Sequence, residues 1–184
     1  MNEMLYVLGT GNANAINCYN TCFALRDERD FLLVDAGGGN GVLPILRDLH
    51  IPLTGIHHVI VTHAHTDHIL GVIWVIRMIA SAMKSGSYEG ELSLYGHEEL
   101  MTLLRSFCTA TLPGRLCSLF DSRIHFVTVQ DGETRPIMGY PVTFFDIGST
   151  KARQFGFTTT LHSELRLTCL GDEPYHPRCQ TYAE

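Results

Sequence analysis

A mixed α/β sandwich, with sheets covered by helices, is the fold this sequence predicts, and three observations carry the expectation. Short apolar runs ended by Gly, Pro or charged turns recur along the chain, helical periodicity is confined to residues 41–107, and beyond them strand follows strand. No fixed-period repeat, low-complexity tract or Pro/Ser-rich linker divides the chain, so residues 1–184 read as a single domain.

Residues 4–8 form an apolar run that stops at Gly9-Thr10-Gly11-Asn12, the pattern of a buried strand entering a loop. Residues 22–25 and 31–34 flank a charged turn and predict a hairpin whose second strand ends at Asp35-Ala36-Gly37-Gly38-Gly39. In 41–49, Val42, Ile45, Leu46 and Leu49 share one helical face, with Pro44 early enough for a first turn, and Pro52 closes the unit. Residues 56–61 read as a strand and 67–83 as a helix. After a polar break at 84–90 come a strand over 92–95 and an amphipathic helix over 98–107. Strands are then expected over 124–129, 140–145, 155–161 and 165–170, separated by Gly- and Ser-containing turns.

Composition excludes several classes. With 13 Lys plus Arg against 19 Asp plus Glu, the net charge of -6 argues against a simple basic-patch nucleic-acid binder. Hydrophobic residues at 45% and charged ones at 17% exclude an intrinsically disordered chain. The longest apolar stretch, 69–83, is broken by Gly71 and Arg77 and is shorter than the ~20 residues of a membrane span. Glu3 stands where a secretory signal would be basic, so a cytoplasmic protein is expected. Cys18, Cys22, Cys108, Cys117, Cys169 and Cys179 are scattered and are expected to be reduced thiols.

The chemistry concentrates in His63-Ala64-His65-Thr66-Asp67-His68, directly after the strand at 56–61. In an extended loop His63 and His65 point to the same side and can face one cation. Asp67 and His68 open the helix and diverge by about a quarter turn, which places them for a second cation beside the first. Any single His of this kind is more often a surface or core residue, but four ligand-type residues in six predict a metal site. Imidazole with carboxylate suits zinc, iron or manganese.

These residues match in full the HxHxDH motif of the metallo-β-lactamase superfamily, which the chain resembles along its length. The opening Leu8-Gly9-Thr10-Gly11-Asn12, the strand-end Leu33-Val34-Asp35-Ala36-Gly37 and the late Gly171-Asp172 are most similar to the ribonuclease Z-like branch. The resemblance implies an αββα sandwich with a two-metal site, normally zinc, between its sheets, and hydrolysis by a metal-bound hydroxide. It assigns His63 and His65 to one ion, Asp67 and His68 to the other, and Asp172 as the bridging carboxylate, with Asp67 orienting the nucleophile or accepting its proton. Asp35 is open to two readings, as a cap of its Gly-rich loop or as a hydrogen-bond partner of a metal-binding His. Ser149, Thr150, His162 and His176 fall in loops near the expected cleft and are more often solvated than functional.

Two departures from the family pattern stand out. Where relatives carry a third His for the first ion, the nearest position here is Gly148, which has no ligand atom, so that ion keeps His63, His65 and Asp172 unless His162 substitutes. Relatives also continue past Gly171-Asp172 through further strand-helix units, whereas the polar 173–184, with Pro174 and Pro177, is not expected to supply one. A shortened domain with an exposed apolar sheet face is therefore expected, and with it a homo-oligomer.

The leading functional expectation is a metal-dependent hydrolase acting on a small phosphodiester or other ester. A transfer-RNA 3'-end endonuclease is the alternative within enzymes. It is disfavoured because the only candidate for a basic RNA-binding arm, 84–90, contains a single Lys. A catalytically silent metal-binding or interaction protein is the alternative outside them.

Overall fold

The computed structural model describes residues 3–172 and 177–183. Its first sheet has six strands in sequence order: β1 (Met4–Gly9), β2 (Cys22–Asp27), β3 (Asp30–Val34), β4 (Ile56–Ile60), β5 (Leu92–Gly96) and β6 (Ile124–Thr128). The first two pairings are antiparallel and the last three parallel. The second sheet is an antiparallel meander of β7 (Thr134–Ile137), β8 (Tyr140–Asp146), β9 (Phe155–Thr160) and β10 (Arg166–Cys169).

Parallel pairing requires crossovers, and the helices supply them: α1 (Val42–Asp48) follows β3, α2 (Thr66–Ser85) follows β4, and α3 (Glu98–Thr111) with α4 (Gly114–Cys117) follows β5. The period of two along β3 sorts its side chains between two cores. Phe31 and Leu33 join Val72, Ile76 and Ile79 in the helix-facing core, while Leu32 and Val34 join Phe144 and Phe157 between the sheets. Helix α2 is 20 residues long, longer than the sequence reading allowed. It is thus long and apolar enough to cross a membrane, but the core claims its apolar face, with Val72, Val75, Ile76 and Ile79 all fully buried.

The one-turn helix α4, strand β7 and a helix over Pro177–Ala183 escaped the sequence. Strand β7 contains Pro136, which lowers any strand expectation but is tolerated on an outer strand, where β7 lies. Residues Pro177–Ala183 form a helix, α5, inside the polar tail, where a proline at the first helical position costs no hydrogen bond, and no strand accompanies it among the described residues. The Tyr182 ring stacks on Phe145 of β8 at 3.8 Å, so part of the outer face of the second sheet is covered and the fourth layer of the sandwich begins here. Exposed apolar side chains remain at the sheet edges, at Met4, Leu5, Val7 and Leu165.

Cys18, Cys22, Cys108, Cys117 and Cys169 are free thiols, and burial pushes Cys22, Cys108 and Cys169 up to about 12. The side chain of Cys179 and the whole of His176 lie outside the described residues.

Candidate metal centre

The site forms where the carboxyl ends of β3 and β4 meet the far ends of β8 and β10. Asp35 follows β3, residues 62–65 follow β4, and α2 begins immediately afterwards with His65 as its N-cap residue. The backbone N–H of Phe155, at the start of β9, donates to the Thr62 carbonyl at 3.0 Å, which fastens the second sheet to the His-bearing loop. Helix α2 lies unusually close to the loop after β3. The Gly71 N–H donates to Gly37 O at 2.8 Å, and a Cβ at Gly71 would stand 1.7 Å from the Ala36 carbonyl oxygen. Only glycine permits this approach, which sets Asp67 and His68 against Asp35.

All five ligands assigned by the resemblance come together. His63 Nε2 and His65 Nδ1 are 2.9 Å apart, and His63 Nε2 is 3.5 Å from an Asp172 oxygen. His68 Nε2 lies 3.6 Å from Asp67 Oδ2 and 3.7 Å from the second Asp172 oxygen. The donors form two triads, His63, His65 and Asp172 on one side and Asp67, His68 and Asp172 on the other, each with its ligand atoms within 4.8 Å of one another. Imidazoles with a shared carboxylate are a donor set for borderline divalent cations, so the chemistry of the residues fits a metal pair. His63, Asp67 and His68 are buried, whereas Asp172 is exposed and completes both triads from the second sheet's side of the cleft.

The proton positions follow from Asp35, and they decide between its two readings. Its Oδ1 accepts the Thr62 N–H at 2.9 Å, and its Oδ2 accepts the Thr62 hydroxyl at 2.8 Å and His68 Nδ1–H at 2.8 Å. Because the Thr62 hydroxyl donates to Asp35, its oxygen is left to accept His63 Nδ1–H at 2.9 Å. One carboxylate therefore leaves the Nε2 lone pairs of both His63 and His68 facing the cleft, the arrangement a metal-binding His needs. Burial and the neighbouring His68 hold His63 below its ordinary range. Burial also opposes the charged form of His68, but the hydrogen bond and charge of Asp35, with Asp67 and Asp172, outweigh it and raise that imidazole.

Around these groups lies a cleft of about 590 Å³, lined by Asn12, Ala13, Asn14, Ala64, His65, Thr66, Asp67, Lys151 and Asp172. Gly148, Ser149 and Thr150 line an adjoining hollow of about 470 Å³, which shares Lys151 with the cleft. Gly148 has φ +72°, and its N–H donates to Asp146 Oδ1 at 2.8 Å. His162 does not substitute for the missing third imidazole. Its Nε2 is 3.4 Å from Asp27 and its ring packs on Tyr140, at the end of β2 and β3 opposite Asp35.

Thr62 and Lys151 are the site residues that the sequence did not single out. A threonine before the motif and a lone loop lysine carry no spacing signal, and only the packing of β9 against the His loop reveals them.

Comparison with known proteins places the chain. The family model of the anti-Pycsar protein Apyc1 matches residues 3–168. The Apyc1 protein of Paenibacillus xerothermodurans is 34% identical over 73 residues, covering 39% of this chain and 28% of that protein. A ribonuclease Z of Parabacteroides distasonis is 27% identical over 131 residues, covering 68% of this chain and 41% of that enzyme. The chain thus spans less than half the length of these curated relatives. Among solved structures, the metallo-β-lactamase fold protein YhfI of Bacillus subtilis superposes with a TM-score of 0.77 at 19% identity, over 99% of this chain and 68% of YhfI. The architecture and these matches agree: the chain belongs to the Apyc1 family, within the ribonuclease Z-like branch of the metallo-β-lactamase superfamily.

Proposed function

We propose that this chain is a metal-dependent hydrolase of small phosphodiesters or other esters. The observation that carries the reading is the sharing of Asp172 by two donor triads. His63, His65 and Asp172 would hold one cation and Asp67, His68 and Asp172 the other, with zinc expected and manganese or iron compatible with the donors. A bound pair supplies Lewis acidity, lowering the pKa of a water and polarising the scissile group. Asp35 and Thr62 keep the two imidazoles in the ligating tautomer. Asp67, buried at the start of α2, would orient the attacking water or accept its proton. The cleft of about 590 Å³ suits a small ligand, and a cyclic mononucleotide, with its phosphodiester on a compact sugar, is a fitting first substrate.

The ribonuclease Z relative favours a second reading, cleavage of transfer-RNA precursors. A net charge of -6 works against it, because neutralising phosphates with Lys and Arg supplies much of the affinity for a polyanion.

The test measures metal content by elemental analysis, then turnover of cyclic mononucleotides, small esters and a precursor transfer RNA at low salt. The parent should retain metal that a His63→Ala/His65→Ala variant loses, and should turn over a small substrate faster than the RNA. Equal metal content in both proteins refutes the site. Stoichiometric metal without turnover refutes the hydrolase in favour of a binding protein, and 3'-end cleavage without small-ester turnover favours the nuclease.

A further inference from the structure

Lys151 stands at the junction of the metal cleft and the adjoining hollow, and among the described residues is the one Lys or Arg lining the cleft. The other charged or titratable groups that line it among the described residues are His65, Asp67 and Asp172, all spoken for as candidate ligands. The nearby Arg153 is engaged elsewhere: it lies 3.3 Å from Asp146 and 3.6 Å from Glu99, with its guanidinium over the Phe155 ring. Lys151, by contrast, makes no ion pair among the described residues.

The loop that carries this lysine is held at both ends. Its entry is fixed by the Gly148 N–H on Asp146, and its exit by His97 Nε2–H on the Arg153 carbonyl at 3.0 Å. Buried His97 can make that bond because its Nδ1 is occupied as acceptor for the Leu100 N–H at 3.4 Å, capping α3. Between the anchors the Lys151 N–H donates to Ser149 Oγ at 3.2 Å. A flexible stem on a tethered backbone delivers an ammonium point charge to the cleft mouth, a mode of phosphate contact suited to lysine.

We propose that Lys151 is a specificity-determining residue that binds a negatively charged group of the substrate, so that the cleft selects phosphodiesters over neutral esters. The proposal deepens the hydrolase reading and rests on it for the reaction, while the anion contact itself is measurable without turnover.

The experiment titrates inorganic phosphate calorimetrically into zinc-supplemented parent, Lys151→Ala and Lys151→Arg proteins, and measures kcat and KM on bis(4-nitrophenyl) phosphate and 4-nitrophenyl acetate. Lys151→Ala should weaken phosphate binding and raise KM for the diester about tenfold, with kcat and the acetate reaction changed by less than about twofold. Lys151→Arg, which keeps the charge, should recover most of the loss. Phosphate affinity unchanged in Lys151→Ala, no phosphate binding by the parent, or equal losses on diester and acetate would each overturn the assignment. Should the parent hydrolyse neither compound, the hydrolase reading fails, and the phosphate titration alone still decides the role of Lys151.

Discussion

Asp35 decides which nitrogen of the neutral His68 imidazole carries the proton: its Oδ2 lies 2.8 Å from Nδ1, so in that form the Nε2 lone pair is turned toward Asp67 and Asp172. The same oxygen, through the Thr62 hydroxyl, sets His63. Asp35 adopts φ +53°, a left-handed conformation that Asp and Asn tolerate better than most residues, so the backbone itself is shaped to aim this carboxylate.

Replacing Asp35 by Asn keeps the backbone preference and removes the charge. Metal affinity should fall roughly 10- to 100-fold, the usual cost of losing a carboxylate behind a ligating His, while the circular dichroism spectrum stays that of the parent. A competitive chelator titration measures it. Unchanged affinity would mean that the tautomers are set without Asp35.

Gly71→Ala tests the close approach of α2 to the loop after β3. The added methyl meets the Ala36 carbonyl oxygen at 1.7 Å, where neither backbone can yield cheaply, so a loss of about 1–3 kcal/mol in unfolding free energy is expected. Because the displaced helix carries Asp67 and His68, metal content should fall with stability. Urea unfolding followed by metal analysis of the folded fraction checks both.

Gly148→His asks whether a third imidazole can be restored. The residue sits at φ +72° beside the adjoining hollow, so the substitution should cost roughly 1–2 kcal/mol through a left-handed side-chain-bearing residue. No gain in metal affinity is expected. Tighter binding in a chelator competition would show that the position faces the first triad after all.

Glu3 offers a pH test remote from the metal centre. Hydrogen bonds from the Ser163 and Tyr140 hydroxyls and from the His162 and Ser163 N–H groups lower its carboxyl to about 2 from 4.5. A depressed carboxyl stabilises the fold above its unfolded value, and the effect is lost as pH falls through the folded one. Parent and Glu3→Gln melting temperatures should therefore differ by a constant amount above pH 4.5 and converge as pH approaches 2. A gap that persists to the acid end would exclude the charge as its cause.

The sequence alone determined the local part of this protein. The spacing of His63, His65, Asp67 and His68 after an apolar strand forces four donors into one strand-to-helix turn, whatever the rest of the chain does. Most strands and the three longer helices were equally legible, because each buries a face whose period shows in a short window. Tertiary structure decided what no window contains. Asp172 joins both triads because β10 brings Gly171-Asp172 to the cleft and Phe155 fastens the second sheet to Thr62. Asp35 became a partner of His68 and not a loop cap because the fit of Gly71 against Ala36 brings α2 within hydrogen-bonding reach of it. Strand β7 and helix α5 were hidden by Pro136 and Pro177, whose meaning depends on being at a sheet edge and at a helix start. The placement of Lys151 over the cleft rests, likewise, on anchors at Asp146 and His97 that lie outside its own sequence window.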